Sequence, residues 1–302
     1  MAVSIDQAVV DGFRDNLRHL AQQKASKARA WCDEFSPEAE TGNWDRLASA
    51  EASAKIRNSA TPNSERVWTR RIAIATPFND AELTEVHDPS QMLIDPNSNF
   101  VRSLGYSMGR SMDDKIFTAA FGTATNSVRA GDGSNTPTQI ALPASQIIGD
   151  FTTPISFDMI TEVIEKFNEN DVEMDQAMVA FIGPRQVREL MNLTEQTSSD
   201  YVQVQALQQN GIVPNWMGFT WIMSTRLFSN AAVPAITEQS CLFMTRQGMG
   251  FHIPEDITTF VERDPSQQYA WRPYCEYNAG SVRVEDEHVV VLKVLDDSVP
   301  AP

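Results

Sequence analysis

The stretch NFVRSLGYSMGRSMDDKIFTAAFGTA, residues 99–124, decides the fold. Val101, Leu104, Met108, Met112, Ile116 and Ala120 recur at spacings of three and four, and Phe117 and Phe121 widen the stripe. That period places them on one face of an α-helix over 98–122. Ser98 or Asn99 is placed to cap its start and Gly122 to stop it. At a rise of about 1.5 Å per residue the helix is roughly 40 Å long, a strut and not a local turn. Asp113 and Asp114 are adjacent on it and diverge by about 100°, so they do not share one ligand.

Downstream, residues 123–137 are rich in Gly, Ser, Thr and Asn and read as a loop. Its Gly131-Asp132-Gly133 lacks the further oxygen ligands of a calcium loop. A second helix is expected over 156–168, with Met159, Ile160, Val163, Ile164 and Phe167 on one side. Residues 177–182 read as a short buried strand, and Pro184 then opens a helix through Leu193, where its missing N–H costs nothing. Residues 200–209 are helical or irregular, and strands follow over 219–223 and 241–245. Residues 251–261 read as extended or mixed. An aromatic strand over 269–277 carries Tyr269, Trp271, Tyr274 and Tyr277. A closing hairpin is expected from 281–285 and 288–295, turning at Asp286-Glu287 with Val282 and Val284 facing the valines beyond.

Upstream, Ile5, Val9, Phe13, Leu17 and Leu20 form the apolar stripe of an amphipathic helix over 4–31. Residues 36–62 are polar and small, 67–75 read as a strand, and 76–96 are again polar and broken by proline. This stretch holds too few apolar residues for a core of its own, and loops of such length are uncommon without a task. A long hairpin reaching onto another molecule accounts for it. Arg66, Arg70 and Arg71 lie on this arm and are the candidate inter-subunit contacts, since guanidinium suits bidentate pairing with carboxylates.

The chain has 302 residues with 24 Lys+Arg against 40 Asp+Glu, a formal charge of −16. That balance excludes the simplest nucleic-acid binder, which needs a basic face, and argues against adhesion to anionic membranes. The charge is unevenly spread: a net of −4 over 1–95 against −12 over 96–302. The longest wholly apolar runs are about six residues, far short of the roughly 20 that span a bilayer. No secretory signal is expected, because Asp6 interrupts the start. Cys32, Cys241 and Cys275 are odd in number and far apart, which fits a reducing compartment better than a disulfide framework.

No catalytic, cofactor or metal site is nominated. His19, His87, His252 and His288 show no metal-ligand spacing. Gly248-Met249-Gly250 follows a strand, but Ile253 stands where a dinucleotide loop needs its third glycine, and Pro254 blocks the helix. Neither a phosphate loop nor a nucleophile elbow occurs.

The order of elements resembles the major capsid protein of tailed bacteriophages with the HK97-type fold. Three stretches carry the likeness: the strut 99–124 with its loop, AFIGPRQVRELMN (180–192), and GIVPNWMGFTWIMSTRL (211–227), with the aromatic strand and valine segment completing it. The resemblance implies an α+β chain divided into an N-terminal arm (1–43), an extended E-loop (44–97), a peripheral domain with a long spine helix (98–174 and 246–302) and an axial domain (175–245). It implies a structural subunit, not an enzyme, forming hexamers and pentamers of an icosahedral head around double-stranded DNA. The implied partners are further copies of itself, a separate scaffolding protein, a portal, a cement protein and packaged DNA in non-specific contact, with no membrane and no cofactor. The implied location is the virion, after synthesis and assembly in the cytoplasm of a bacterial host. Some similar proteins crosslink through an arm lysine. Here Lys55 is the only lysine between 36 and 96 and no glutamate is nominated as its catalyst, so non-covalent assembly is expected. Two other readings remain open on the residues: an encapsulin-like compartment of the same fold, and an acidic cytosolic enzyme with dispersed catalytic residues.

Overall fold

The computed structural model describes residues 22–49, 52, 54–55, 57–58, 66–85, 96–129, 135–173, 176–194, 204–206, 210, 212–227 and 238–296. In chain order the strands and helices begin with β1 (Asp33–Phe35), β2 (Thr41–Leu47), β3 (Trp68–Ile74) and β4 (Thr76–Ala81). They continue with α1 (Pro96–Phe121), β5 (Ala124–Arg129), β6 (Asn135–Ile140), β7 (Ile147–Ile148) and α2 (Phe157–Glu169). Next come β8 (Met178–Ile182), α3 (Pro184–Thr194), β9 (Ile212–Trp216) and β10 (Phe219–Met223). The last four are β11 (Glu238–Thr245), β12 (Met249–Asp264), β13 (Ala270–Arg283) and β14 (Val289–Leu295).

Three sheets result. One runs β7-β14-β11-β8-β10-β9, a second β1-β12-β13-β4, and a third β2-β3-β5-β6. The six-stranded sheet is covered on both faces, so β8 is buried at every position, as a central strand between two layers must be. On one face lie α2 and α3, through Phe167, Val187 and Leu190. Phe219, Trp221 and Phe243 pack edge to face beneath them, and the Trp221 indole N–H donates to the Trp216 carbonyl. Ser156 caps α2 by accepting from the Met159 N–H.

Helix α1 lies on the other face. Leu104, Met108, Met112, Ile116, Phe117 and Ala120 are buried against Phe181, Leu242 and Val291 of the six-stranded sheet and Phe251, Cys275 and Tyr277 of the second. Its apolar stripe was expected. Its start lies two residues earlier, at Pro96, since proline is well suited to a first helical turn. The strut therefore joins two sheets.

Four expectations are corrected. Of the helix expected over 4–31, residues 4–21 lie outside the described residues, and 22–31 is irregular with one 3-10 turn at Arg29–Trp31. The backbone N–H groups of Lys27 and Ala28 turn to Asp113 of α1 instead of to carbonyls of their own segment. The polar stretches 36–62 and 76–96 contain β2 and β4, each paired with residues distant in sequence. The loop expected over 123–137 contains β5 and the start of β6, paired antiparallel. Pro137 is tolerated there because β6 is an edge strand. Lastly, β13 and β14 do not form a hairpin. β13 pairs with β12 and β4, whereas β14 lies between β11 and β7. Val282 and Val284 pack instead with Ala73, Ala124 and Trp44. The segments 131–133 and 201–203 lie outside the described residues.

Candidate assembly surfaces and the anchors behind them

The third sheet holds both ends of the stretch expected as an arm, β2 leading into it and β3 out of it, and alternation along β3 sorts its residues by face. Thr69, Arg71 and Ala73 point to the body, and Arg71 and Ala73 are buried; Trp68, Arg70 and Ile74 point outward and are exposed. Arg71, only 2% exposed, donates to Asp286 at 2.6 Å in the turn between β13 and β14. Arg283 donates to the other oxygen of the same carboxylate. Three further guanidinium protons of Arg283 meet the carbonyls of Ala120 (3.1 Å), Gly122 (2.8 Å) and Ile140 (3.0 Å). One carboxylate thus joins two guanidiniums, and Arg283 satisfies carbonyls at the end of α1 that the helix leaves open. Burial pushes the Arg71 pKa down, and Asp286 pulls against it.

The flanking residues of that turn tie in neighbouring elements. Glu287 faces Arg46 of β2 at 3.6 Å and accepts through its carbonyl from Asn170 at the end of α2. Glu285 pairs with His288 at 3.1 Å, whose Nδ1 meets the Thr245 hydroxyl at 2.7 Å. The hydrogen bond from His288 holds the Glu285 carboxyl below its ordinary pKa. β2 is also seated by two glycine contacts. A Cβ on Gly42 would meet the His252 ring, and one on Gly250 would meet the Trp44 indole. The arm's root is fixed by charge, hydrogen bonds and close packing together.

A second anchor holds the N-terminal segment. Asp113 of α1 is fully buried and accepts from the backbone N–H groups of Lys27 (3.0 Å) and Ala28 (3.1 Å), the Ser26 hydroxyl and the Gln23 amide. One turn earlier, Gly109 lets the backbone of Ala25 and Ser26 approach to where its Cβ would stand, 3.1–3.2 Å away. Lys27 donates to the Met223 carbonyl at 2.6 Å, and Asp114 pairs with Arg226 of the same region. Arg29 forks onto Glu34 and Asp256, which raise its pKa.

Beyond the anchors two extensions carry apolar side chains into solvent. On the arm these are Leu47, Val67, Trp68 (63% exposed) and Ile74; on the outer half of β12 and β13 they are Ile257, Phe260 and Val261, with Tyr269 at the bend. Large apolar side chains gathered on projecting strands mark contact surfaces. Among the described residues no group of three or more metal-ligating side chains converges, and no helix is long and apolar enough to cross a membrane.

A model of the phage capsid protein family matches residues 5–296. The chain belongs to that family. This capsid protein is accordingly a shell subunit, a structural protein of the virion. Its fold is shared with solved structures at low identity. It is similar to the capsid of Ralstonia phage GP4 (11% identical, 100% of this chain and 99% of that one, TM-score 0.75). It is similar to the capsid of cyanophage P-SCSP1u (10% identical, 98% and 96%, TM-score 0.71). A structure from Mycobacterium phage Che8 is likewise similar (12% identical, 94% and 97%, TM-score 0.70). The HK97-like α+β fold is thereby shown. A search of curated proteins finds no match.

The capsid protein divides its three candidate arginines. Arg66 and Arg70 are exposed, with Arg70 paired to Asp45 across the strands at 2.6 Å, whereas Arg71 spends its charge inside the subunit. Sequence reasoning missed Asp286, Arg283, Asp113 and Gly109. A signal existed for the last two: a glycine and a carboxylate one turn apart beside an apolar stripe. The three cysteines are free and buried; burial pushes the thiols up, Cys241 to about 12, which leaves them inert.

Proposed function

We propose that this capsid protein assembles into hexamers and pentamers of an icosahedral phage head enclosing double-stranded DNA. The observation that carries the reading is the pair of projecting strand extensions, whose exposed Trp68, Ile74, Phe260 and Tyr269 lack cover within the described subunit. Assembly removes such surface from water at roughly 25 cal/mol per Å² of apolar area. Many subunit contacts of that kind sum to a stable shell.

The arm over 44–97 serves as E-loop in this reading and 1–43 as N-terminal arm. Helix α1 is the spine of the peripheral domain. We place the axial domain on the six-stranded sheet, which draws in 147–148 and 289–295 beyond the 175–245 expected from the sequence. The net charge of −16 suits an inner wall along which packaged DNA slides without sticking. A separate scaffolding protein, a portal and a cement protein complete the proposed set of partners, with assembly in the host cytoplasm.

The test is imaging of particles from cells expressing the chain with its neighbouring genes. Closed shells with hexameric and pentameric units, filled with DNA after packaging, are expected. A compact monomer or dimer that never forms shells, rings or sheets overturns the reading, and shells filled with protein cargo and devoid of DNA overturn its DNA-enclosing part.

A further inference from the structure

His252 of β12 is fully buried, and both of its ring nitrogens meet backbone carbonyls: Nδ1 that of Phe35 at 3.1 Å and Nε2 that of Ala39 at 2.8 Å. A carbonyl oxygen only accepts, so each nitrogen needs a proton to bond it. The neutral ring carries one such proton and the imidazolium two. In the neutral ring one nitrogen would turn its lone pair on a carbonyl oxygen inside the protein, where an unmade hydrogen bond is costly. The arrangement suits the doubly protonated ring alone.

Close packing holds the ring in this position, since a Cβ on Gly42 would stand 2.7 Å from its Cγ. What the ring ties down is otherwise lightly held. β1 is a three-residue edge strand, paired with β12 and exposed at every position, and the loop 36–40 carries the chain on into β2. The other ties of β1, Trp44 to Asp33 at 2.9 Å and Arg29 to Glu34 at 2.8 Å, lie in exposed side chains. Among the described residues no unpaired cation lies in the elements packed around the ring. β1 brings Asp33 and Glu34, the loop Glu38 and Glu40, and β12 Glu255 and Asp256. β13 places Gly280 opposite, with no charged residue between Glu276 and Arg283. Asp45 and Arg46 of β2 are engaged with Arg70 and Glu287, and Arg71 and Arg283 with Asp286. A cavity of about 570 Å³, lined by Glu38, Ala39, Glu40 and Glu255 among others, brings water to the edge of the Ala39 contact.

We propose that His252 is a proton-operated latch on the passage from the N-terminal segment into the arm. With two ring protons it ties Phe35 and Ala39 to β12. On losing one to water it lets go of one carbonyl, and β1 comes away from the edge of its sheet. The closed state holds a proton that the open state gives up as pH rises, so the latch is tight at low pH and slackens toward high pH. The range is that over which an imidazole titrates, about pH 5 to 8, where carboxylates do not ordinarily titrate. The latch belongs to the single subunit and works whether or not shells form.

Two readouts on the full-length, unassembled chain test it. Ring-nitrogen NMR is expected to show both nitrogens of His252 protonated at about pH 5 and one at about pH 8. Amide hydrogen exchange over 33–40, corrected for the base catalysis of exchange itself, is expected to quicken about tenfold or more across that range, while α1 stays protected. In His252→Gln this step should vanish. In His288→Gln, which alters the other described histidine, it should remain. A His252 ring that keeps one proton, or two, throughout the range overturns the latch. So does exchange over 33–40 that ignores pH, or a step that survives in His252→Gln. The ring measurement uses the wild-type chain and decides the matter even if His252→Gln does not fold.

Discussion

Arg70 and Arg71 are neighbours on β3, with the same chemistry and the same kind of partner, yet they do different work. The Arg71–Asp286 pair is 2% and 9% exposed, the Arg70–Asp45 pair 46% and 50%. The period of two in a strand sends one guanidinium into the junction of three elements and the other into solvent. Burial makes the first pair expensive to break, because a partner left behind keeps its desolvation cost without compensation. Water and salt screen the second. One residue sets where the arm leaves the body, and its neighbour is available for what the arm meets.

The comparison is most exposed to failure at Asp286. Asp286→Ala strands two buried guanidiniums and is expected to destabilise the unassembled subunit by about 3–5 kcal/mol. Arg71→Met should cost less, since Arg283 still neutralises the carboxylate. Chemical denaturation of the two variants checks the order. If Asp286→Ala costs no more than an exposed pair does, the junction is not what fixes the arm.

A smaller effect is expected at the other anchor. Asp113→Ala leaves the N–H groups of Lys27 and Ala28 buried without an acceptor, a loss of about 1–3 kcal/mol. The loss is local, so amide hydrogen exchange should accelerate over 22–32 while α1 stays protected. Protection unchanged at Lys27 and Ala28 would show that close packing at Gly109 holds the segment without the carboxylate.

What the sequence showed and hid follows from the same physics. Helix α1 was legible because its apolar stripe runs from Val101 to Phe121, long enough for tertiary context not to override it. Strands β2, β4 and β5 are short and polar, and partners outside any local window stabilise them; β6 pairs with its neighbour β5 and is as polar, so it carries no apolar alternation to read. Grouping Arg66, Arg70 and Arg71 as one contact set overlooked strand alternation, which forbids Arg70 and Arg71 a common face. The valine run of β14 carried a signal that was misread. Residues 289–292 are buried without alternation, the mark of a strand covered on both faces, which is out of place in a terminal hairpin. The distant partners of Asp286 and Asp113 had no local signature, because both sites exist only once the chain has closed on itself.

The smallest expected effect is at Arg70, and it sharpens the comparison from the other side. Arg70 donates to Asp45 and holds that carboxyl below its ordinary value of 3.8. A carboxyl whose pKa is lowered by folding adds stability above its unfolded value and loses it as pH falls through the folded one. Arg70→Ala should therefore cost under about 1 kcal/mol at neutral pH. The difference from wild type should shrink below pH 3.8 and with added salt, and the Asp45 carboxyl titration followed by NMR should return to its ordinary position. A cost approaching that of Asp286→Ala would mean that Arg70, too, supports the fold of the lone subunit, and its availability to a neighbour would then be lost. A small, salt-sensitive cost leaves Arg70 energetically free to exchange Asp45 for a carboxylate on another chain, as a candidate inter-subunit contact requires.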